Sequence, residues 1–171
     1  PIKKNPYNDL PLIIPINLAI FFGDNKTIEK TVVLKTKKQE FIFKNVRSHL
    51  QIPFVTYFRE FSSPVDWESD TTLDEKFLIL KYEKDFFTLS NTVRELFKKI
   101  ILCRLDEKPD HIIENKLIST LIAFIINKDI NLSLLSELLC IPTFAEIESE
   151  MENINPLKIY KTIDELNHLF G

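Results

Sequence analysis

The sequence contains very little glycine: among its 171 residues only Gly23 and Gly171 are glycines. A loop that cradles phosphate needs several glycines, because backbone N–H groups must approach the anion without a Cβ in the way. Nucleotide sites of the Walker and Rossmann types are therefore excluded. The single methionine is Met151, and the first residue is Pro1. We therefore expect an excised or processed segment of a longer protein.

Histidine and cysteine are also scarce, and their spacing does not favour a metal site. His49, His111 and His168 are far apart, and none has a second His or a Cys three or four residues away. Zinc needs at least three converging ligands, which helices supply most easily at i, i+4. We therefore assign no metal-binding, cofactor-binding or catalytic residue. Cys103 and Cys140 lie in apolar stretches and are predicted to be buried, inert thiols in a reducing compartment.

Long apolar runs and basic stripes are missing as well. No apolar run approaches the roughly 18 residues that a membrane span requires, and the longest candidate, residues 10–22, is interrupted by Pro11 and Pro15. The net charge is −3, and the lysines and arginines are scattered along the chain. Neither a membrane nor a nucleic acid is predicted as a partner, and we expect a cytoplasmic protein.

The remaining polar candidates favour ordinary structural roles. An acidic run places glutamates at every second position: Glu146, Glu148, Glu150 and Glu152. Carboxylates do acid–base work when their environments separate their pKa values, but i, i+2 spacing on a helix points them to different faces. A solvated helix surface is the preferred interpretation. Ser62 and Ser63 precede Pro64 without a nucleophile elbow, and Trp67 is expected to be core material.

What the sequence does contain is abundant apolar and aromatic material, 44% and 11% of the residues, which indicates a globular protein. In the first 69 residues Ile16, Leu18 and Ile20 alternate with other side chains, the pattern of a half-buried strand. The stretch Gly-Asp-Asn-Lys at 23–26 has the composition of a turn. Further strands are predicted at 31–34, 40–44, 52–61 and 65–68. Five to seven such strands indicate a small antiparallel β-sandwich.

From about residue 70 the apolar period becomes helical. Asp70 or Thr71 can cap the first helix, and Thr143 with Glu146 forms a capping box for the fifth. Asn131 is the predicted cap of the fourth. Five helices are predicted at 70–82, 88–104, 112–127, 131–140 and 155–170. A further helix is predicted to begin at residue 143. The apolar residues of the third helix wrap most of its circumference, so we expect it to be surrounded.

These patterns predict a β-then-α chain with a boundary near residue 70. Residues 1–69 would form the sandwich, and residues 70–171 an array of short antiparallel helix pairs stacked side by side. The last helix should have Asn155 as its cap and Pro156 at its first position, where the absent N–H is harmless.

Four stretches resemble, in order and spacing, the bacterial-type aminopeptidase N family of zinc alanyl aminopeptidases. Residues 57–65, Tyr-Phe-Arg-Glu-Phe-Ser-Ser-Pro-Val, resemble the family's Leu-Arg-acidic-Phe-Ser-Ala-Pro-Val run, with Ser63 where alanine is usual. Residues 84–87 resemble its Asn-Asp-x-Phe entry to a helix, although Leu89 stands where tryptophan is preferred. Residues 139–143 and 154–157 resemble its Leu-x-Leu-Pro-Ser turn and its Ile-Asp-Pro-x run.

The resemblance implies that this chain is an Ig-like sandwich followed by the beginning of an α-superhelix in a metalloaminopeptidase. Such a parent removes N-terminal amino acids from peptides and holds zinc in an upstream catalytic domain. The His-Glu-x-x-His and Gly-x-Met-Glu-Asn motifs of that domain are absent here, so no site residue carries over to any position. Zinc is expected in the parent and none in this segment. Its expected partners are the upstream catalytic domain and the remaining helical domain of the same protein.

The segment is then expected to space and cap the active-site chamber, and to carry apolar faces that its own residues do not cover. Two other interpretations remain. The chain can be a stand-alone sandwich-plus-helix scaffold that binds a protein partner, without an enzymatic parent. It can also be a hydrolase in its own right.

Overall fold

The computed structural model describes residues 13–22, 27–44, 53–127, 132–151 and 154–170. The chain divides into two compact units, residues 1–71 and 72–171. The predicted turn at 23–26, the histidine at 49, the cap at 131 and the glutamate at 152 lie outside the described residues.

The first unit is built on a three-stranded antiparallel sheet. Its strands are β1 (Ile14–Phe21), β2 (Thr27–Leu34) and β3 (Phe54–Thr56), and β1 lies in the middle. Strand β1 pairs with β2 along its whole length, from Ile14 opposite Leu34 to Phe21 opposite Thr27. Strand β3 pairs only with the last three residues of β1. The predicted strand at 16–21 is thus the central strand of the sheet.

Strand β1 is buried on both sides in its second half, more than the predicted half-buried strand. Leu18 and Ile20 belong to an apolar cluster on one side, where Phe43 packs against them. On the other side Ala19 and Phe21 are also buried, and the Phe21 ring stacks on that of Phe54 with centroids 4.7 Å apart. Alternating composition therefore understated how much of this strand is covered.

Three of the predicted strands are wrong in whole or in part. Residues 40–44 and 65–68 are not in strands, although one aromatic residue of each segment makes a packing contact. Phe43 packs on the sheet cluster, and the Trp67 ring lies 5.2 Å from that of Phe58. Of the strand predicted at 52–61, the described residues 53–61 form a strand only at Phe54–Thr56, after which the chain turns sharply. The described residues therefore hold three strands, while the overall order of a small antiparallel sheet followed by helices is confirmed.

The second unit consists of helices joined by short connections. The described helices are α1 (Leu73–Tyr82), α2 (Phe86–Leu105), α3 (His111–Asn127), α4 (Leu132–Leu138), α5 (Phe144–Glu148) and α6 (Pro156–Phe170). The predicted limits agree with these to within a few residues, since caps and apolar period are local features of the sequence.

The helix caps follow the predictions in part. Thr72, and not the predicted Asp70 or Thr71, caps α1 and forms a capping box with Glu75. Asp85 caps α2 by accepting the Thr88 N–H at 2.8 Å. Asn155 accepts the Lys158 N–H at 3.2 Å and caps α6 as predicted.

Helix α2 is the centre of the second unit and packs against the other five helices. The apolar stripe predicted on it is confirmed, since Val93, Leu96, Phe97, Ile100 and Ile101 are all buried. Residues Ile159 and Leu166 of α6 are also fully buried in this core. Because α2 packs against all five, it fixes the positions of its neighbours.

Helix α3 is not surrounded by the described residues, which corrects the prediction. Ile113, Leu117, Leu121 and Phe124 face the core, where α3 packs against α1 and α2. Its opposite side carries exposed isoleucines, and Ile126 is 75% exposed. Among the described residues, only the core-facing side of the apolar helix α3 is covered by other helices.

Candidate functional site

The stretch with the most specific sequence motif forms a tight arch after β3. Phe58, Glu60 and Phe61 all have left-handed backbone conformations, with φ of 54°, 56° and 52°. Such angles cost energy for residues other than glycine, and Asn and Asp are the usual exceptions. None of the three is of these types, so the surrounding contacts must stabilise the arch.

Two serines that directly follow the arch at 58–61 complete the hydrogen bonding of β1 beyond the end of β3. Ser62 Oγ accepts the Asn17 N–H at 3.0 Å, and Ser63 Oγ donates to the Pro15 carbonyl at 2.6 Å. Strand β3 is too short to reach these two groups, since it pairs only with residues 19–21 of β1. Ser62 and Ser63, for which the sequence shows no nucleophile elbow, therefore have a structural role.

The acidic run after Pro142 is not a uniformly solvated surface, which corrects the preferred interpretation. Arg94 of α2 forms a two-pronged contact with Glu146, with Nε 2.7 Å from Oε1 and Nη2 bonded to Oε2. One turn further along, Lys98 Nζ lies 3.0 Å from Glu150 Oε1. The two cations and the two carboxylates are each four residues apart, and this matched spacing is the signal that could have revealed the pairing.

Glu146 combines this ion pair with the predicted capping box. Its Oε2 atom accepts the backbone N–H and the hydroxyl of Thr143, at 3.0 and 2.8 Å. Hydrogen bonding from Arg94 lowers the pKa of Glu146 to about 2, and the Thr143 bonds add to this against the opposing effect of burial. The same contact raises the pKa of Arg94. The charged pair joins α5 to the central helix.

A second ionic cluster joins α2, α3 and α6. Arg104 Nε lies 2.7 Å from Glu114 Oε1, and its Nη1 lies 3.5 Å from Glu165 Oε2. Glu114 is buried, and hydrogen bonding from Arg104 lowers its pKa. His111 Nδ1 lies 3.3 Å from the other oxygen of Glu114. These contacts tie the three helices together.

The candidate metal ligands and nucleophiles are dispersed. His111 and His168 are exposed, and each faces a carboxylate of its own helix. Within the described ranges no group of three His, Cys, Asp or Glu side chains could hold a metal ion. Cys103 is half-buried and Cys140 is exposed, so the prediction of two buried thiols is wrong. Cys140 lies two residues beyond the end of α4, whereas the sequence predicted it to be the last residue of that helix.

A groove of about 580 Å³ lies between α1 and α3. Its lining combines apolar side chains such as Phe77 and Leu78 with the charged side chains of Lys81 and Lys116. The Lys116 ammonium sits 4.2 Å from the centre of the Phe77 ring and 3.1 Å from Asp74 Oδ1. The groove therefore brings together no set of groups suited to catalysis.

Comparison with known families decides the identity of both units. A family model described as DUF3458, a domain of unknown function with an Ig-like fold, matches residues 1–70. A second, described as DUF3458_C, a domain of unknown function with ARM repeats, matches residues 73–171. The chain belongs to the DUF3458_C family. In this DUF3458_C protein the Ig-like unit comes first and the ARM-repeat unit second, which is the order that the sequence predicted.

A solved structure has the same fold over nearly the whole of this DUF3458_C protein. The crystal structure of Legionella pneumophila aminopeptidase A in complex with aspartic acid matches 92% of this chain with a TM-score of 0.73 and 18% sequence identity. The match covers 18% of that aminopeptidase's chain. These findings fit an aminopeptidase N-type C-terminal region and confirm the resemblance seen in the sequence.

The described helices contain none that is both long and apolar enough to cross a membrane.

Proposed function

We propose that this chain is a non-catalytic C-terminal segment of a zinc metalloaminopeptidase that removes N-terminal amino acids from peptides. The observation that carries the proposal is the structural match. Nearly all of this chain corresponds to 18% of an aminopeptidase A chain, and the Ig-like and ARM-repeat family domains follow one another in its sequence. The catalytic domain would then lie in the rest of the parent protein, together with the remaining helical domain.

In this proposal the segment acts through its geometry. The sandwich, residues 1–69, spaces the catalytic and helical domains, and residues 70–171 form part of a wall that caps the active-site chamber. A wall must hold its shape, and the helical unit has two features that support this. Its central helix contacts all five neighbours, and the Arg94–Glu146 pair and the Arg104–Glu114 pair join helices that are distant in sequence.

Zinc would be bound outside this chain. The described side chains do not fit a zinc site, since none of their His, Cys, Asp and Glu groups converge in threes. The two free cysteines suit a reducing compartment such as the cytoplasm, which is where we place the parent.

The first test is the sequence and activity of the parent. A His-Glu-x-x-His motif encoded upstream of Pro1, and hydrolysis of an aminoacyl-anilide that a chelator abolishes, are the expected results. A parent gene without that motif would favour a stand-alone protein-binding scaffold. Turnover by the purified 171 residues with zinc added would show that the segment is itself a hydrolase and would overturn the proposal.

The capping role has a test of its own. A capped chamber admits short peptides and excludes folded proteins, so the parent should trim a free peptide but not the same N-terminal sequence fused to a stable folded domain. The matched control is that fusion after the domain has been unfolded by a destabilising mutation. If the parent trims both fusions at the rate of the free peptide, the segment does not restrict access.

A further inference from the structure

The outer side of α3 has the composition of a buried surface. Between Glu114 and Lys116, going around the helix away from the core, the positions carry no lysine, arginine or carboxylate side chain. They are occupied by His111, Ile112, Asn115, Ile118, Ser119, Ile122, Ala123, Ile125 and Ile126. A helix on a protein surface normally places charged and polar residues opposite its core face. Helix α3 departs from that rule.

Helix α6 of the same unit serves as an internal comparison. Its outer positions also include apolar side chains, of which Leu157 is 83% exposed, but these stand among the exposed charged residues Lys161, Asp164 and Glu165. The outer positions of α3 between Glu114 and Lys116 have no such lysine or carboxylate among their isoleucines.

Three isoleucines of α3 are arranged as a helix-packing ridge. Ile118, Ile122 and Ile126 follow one another at intervals of four residues, the row that interdigitates with another helix in the commonest packing class. Ile118 is half-buried, whereas Ile122 is 51% and Ile126 is 75% exposed. The side chain of Asn115 is exposed beside the ridge, so the ridge offers a partner mainly apolar contact together with one amide group.

We infer that the outer face of α3 is covered by an apolar ridge of another helix, supplied by the remaining helical domain of the same polypeptide. This inference rests on the proposed function, because the covering helix belongs to the longer parent. Two observations favour a helix of the same chain. The unit belongs to an ARM-repeat family, in which helices stack on neighbouring helices, and the matching aminopeptidase has more than four-fifths of its chain outside the matched region.

The test labels thiols in the full-length parent. Cys103 and Cys140 are replaced by alanine and serine, and Ile126→Cys is compared with Lys161→Cys, whose side chain is on the charged outer face of α6. Peptide-level mass spectrometry measures the labelling rate of each. We expect Ile126→Cys to react at least about tenfold more slowly than Lys161→Cys. Equal rates would overturn the inference.

A photo-reactive amino acid at position 126 of the parent identifies what covers the face. Cross-links within one polypeptide, to residues of the remaining helical domain spaced three or four apart, are expected. Cross-links to the catalytic domain, or to a second copy of the parent that vanish on dilution, would overturn the inference. A parent that lacks peptidase activity but gives the expected cross-links removes the proposed function and leaves this inference standing.

Discussion

Arg94 binds both carboxylate oxygens of Glu146 although the two residues are 52 positions apart in the sequence. The same carboxylate accepts two hydrogen bonds from Thr143 at the start of α5. One side chain thus caps a five-residue helix and fastens it to the central helix α2. A helix this short has little stability of its own, so the contact determines where α5 lies.

Removing the charge of Glu146 should destabilise the helical unit. Glu146→Gln keeps the size of the side chain but loses the charged partner of Arg94, and we expect a loss of about 1–2 kcal/mol in the free energy of unfolding, moderated because both side chains are about one-third exposed. Urea unfolding of the 171-residue chain measures this. Glu148→Gln is the control, because the Glu148 side chain has no hydrogen bond or ion pair among the described residues; an equal effect of both substitutions would contradict the assignment.

The contribution of Glu146 should depend on pH in one direction. Its pKa in the folded chain is about 2, below the ordinary value of 4.5, so the carboxylate stabilises the fold fully above pH 4.5. That stability is lost as the pH falls from 4.5 towards 2. The difference in unfolding free energy between the wild type and Glu146→Gln should therefore shrink over this interval. A difference that stays constant down to pH 2.5 would argue against a charged Glu146.

Glycine at position 107 should stabilise α2. Glu107 follows the end of this helix with φ of 59°, and the Lys108 N–H bonds the Cys103 carbonyl at 2.9 Å, as in a glycine-terminated helix. Glu107→Gly relieves the left-handed strain and should gain about 0.5–1 kcal/mol, although it removes an exposed ion pair with Lys158. The neighbour Asp106 has φ of −78°, so Asp106→Gly should lower the melting temperature instead.

A cavity in the centre of α2 should be severely destabilising. Phe97 is fully buried, and Phe97→Ala should cost about 3–5 kcal/mol through lost burial and an unfilled cavity. Differential scanning calorimetry of the 171-residue chain measures the fall in melting temperature. Lys99→Ala on the exposed side of the same helix should change the stability by less than about 0.5 kcal/mol, and a comparable loss from both would mean that Phe97 is not in the core.

Ser62 should protect one amide of the central strand. In Ser62→Ala the Asn17 N–H loses its acceptor, and we expect a loss of about 0.5–1.5 kcal/mol together with faster hydrogen exchange at Asn17. Nuclear magnetic resonance of the 171-residue chain detects both. Ser69→Ala, in an exposed segment of the same unit, should leave the Asn17 exchange rate unchanged; an unaltered rate in Ser62→Ala itself would refute the role of the serine.

The arch at 58–61 shows why sequence patterns failed in part of the first unit. Alternating apolar residues predicted one long strand there, but three residues adopt left-handed conformations that glycine would normally signal. Residues 40–44 failed for another reason. A short apolar stretch can pair its backbone in a sheet, or it can merely pack one side chain against the sheet, and its composition is the same in both cases. Residues 40–44 do the second, through the ring of Phe43.

The sequence by itself determined the order of a β unit and a helical unit, the approximate limits of the helices and the buried stripe of α2. These follow from caps and apolar periods, which act over a few neighbouring residues. Only the tertiary structure decided that Cys140 is exposed, that Glu146 pairs with Arg94 and that the outer face of α3 lacks a cover among the described residues. Burial and ion pairing depend on which distant segments meet in space, and no local pattern specifies that.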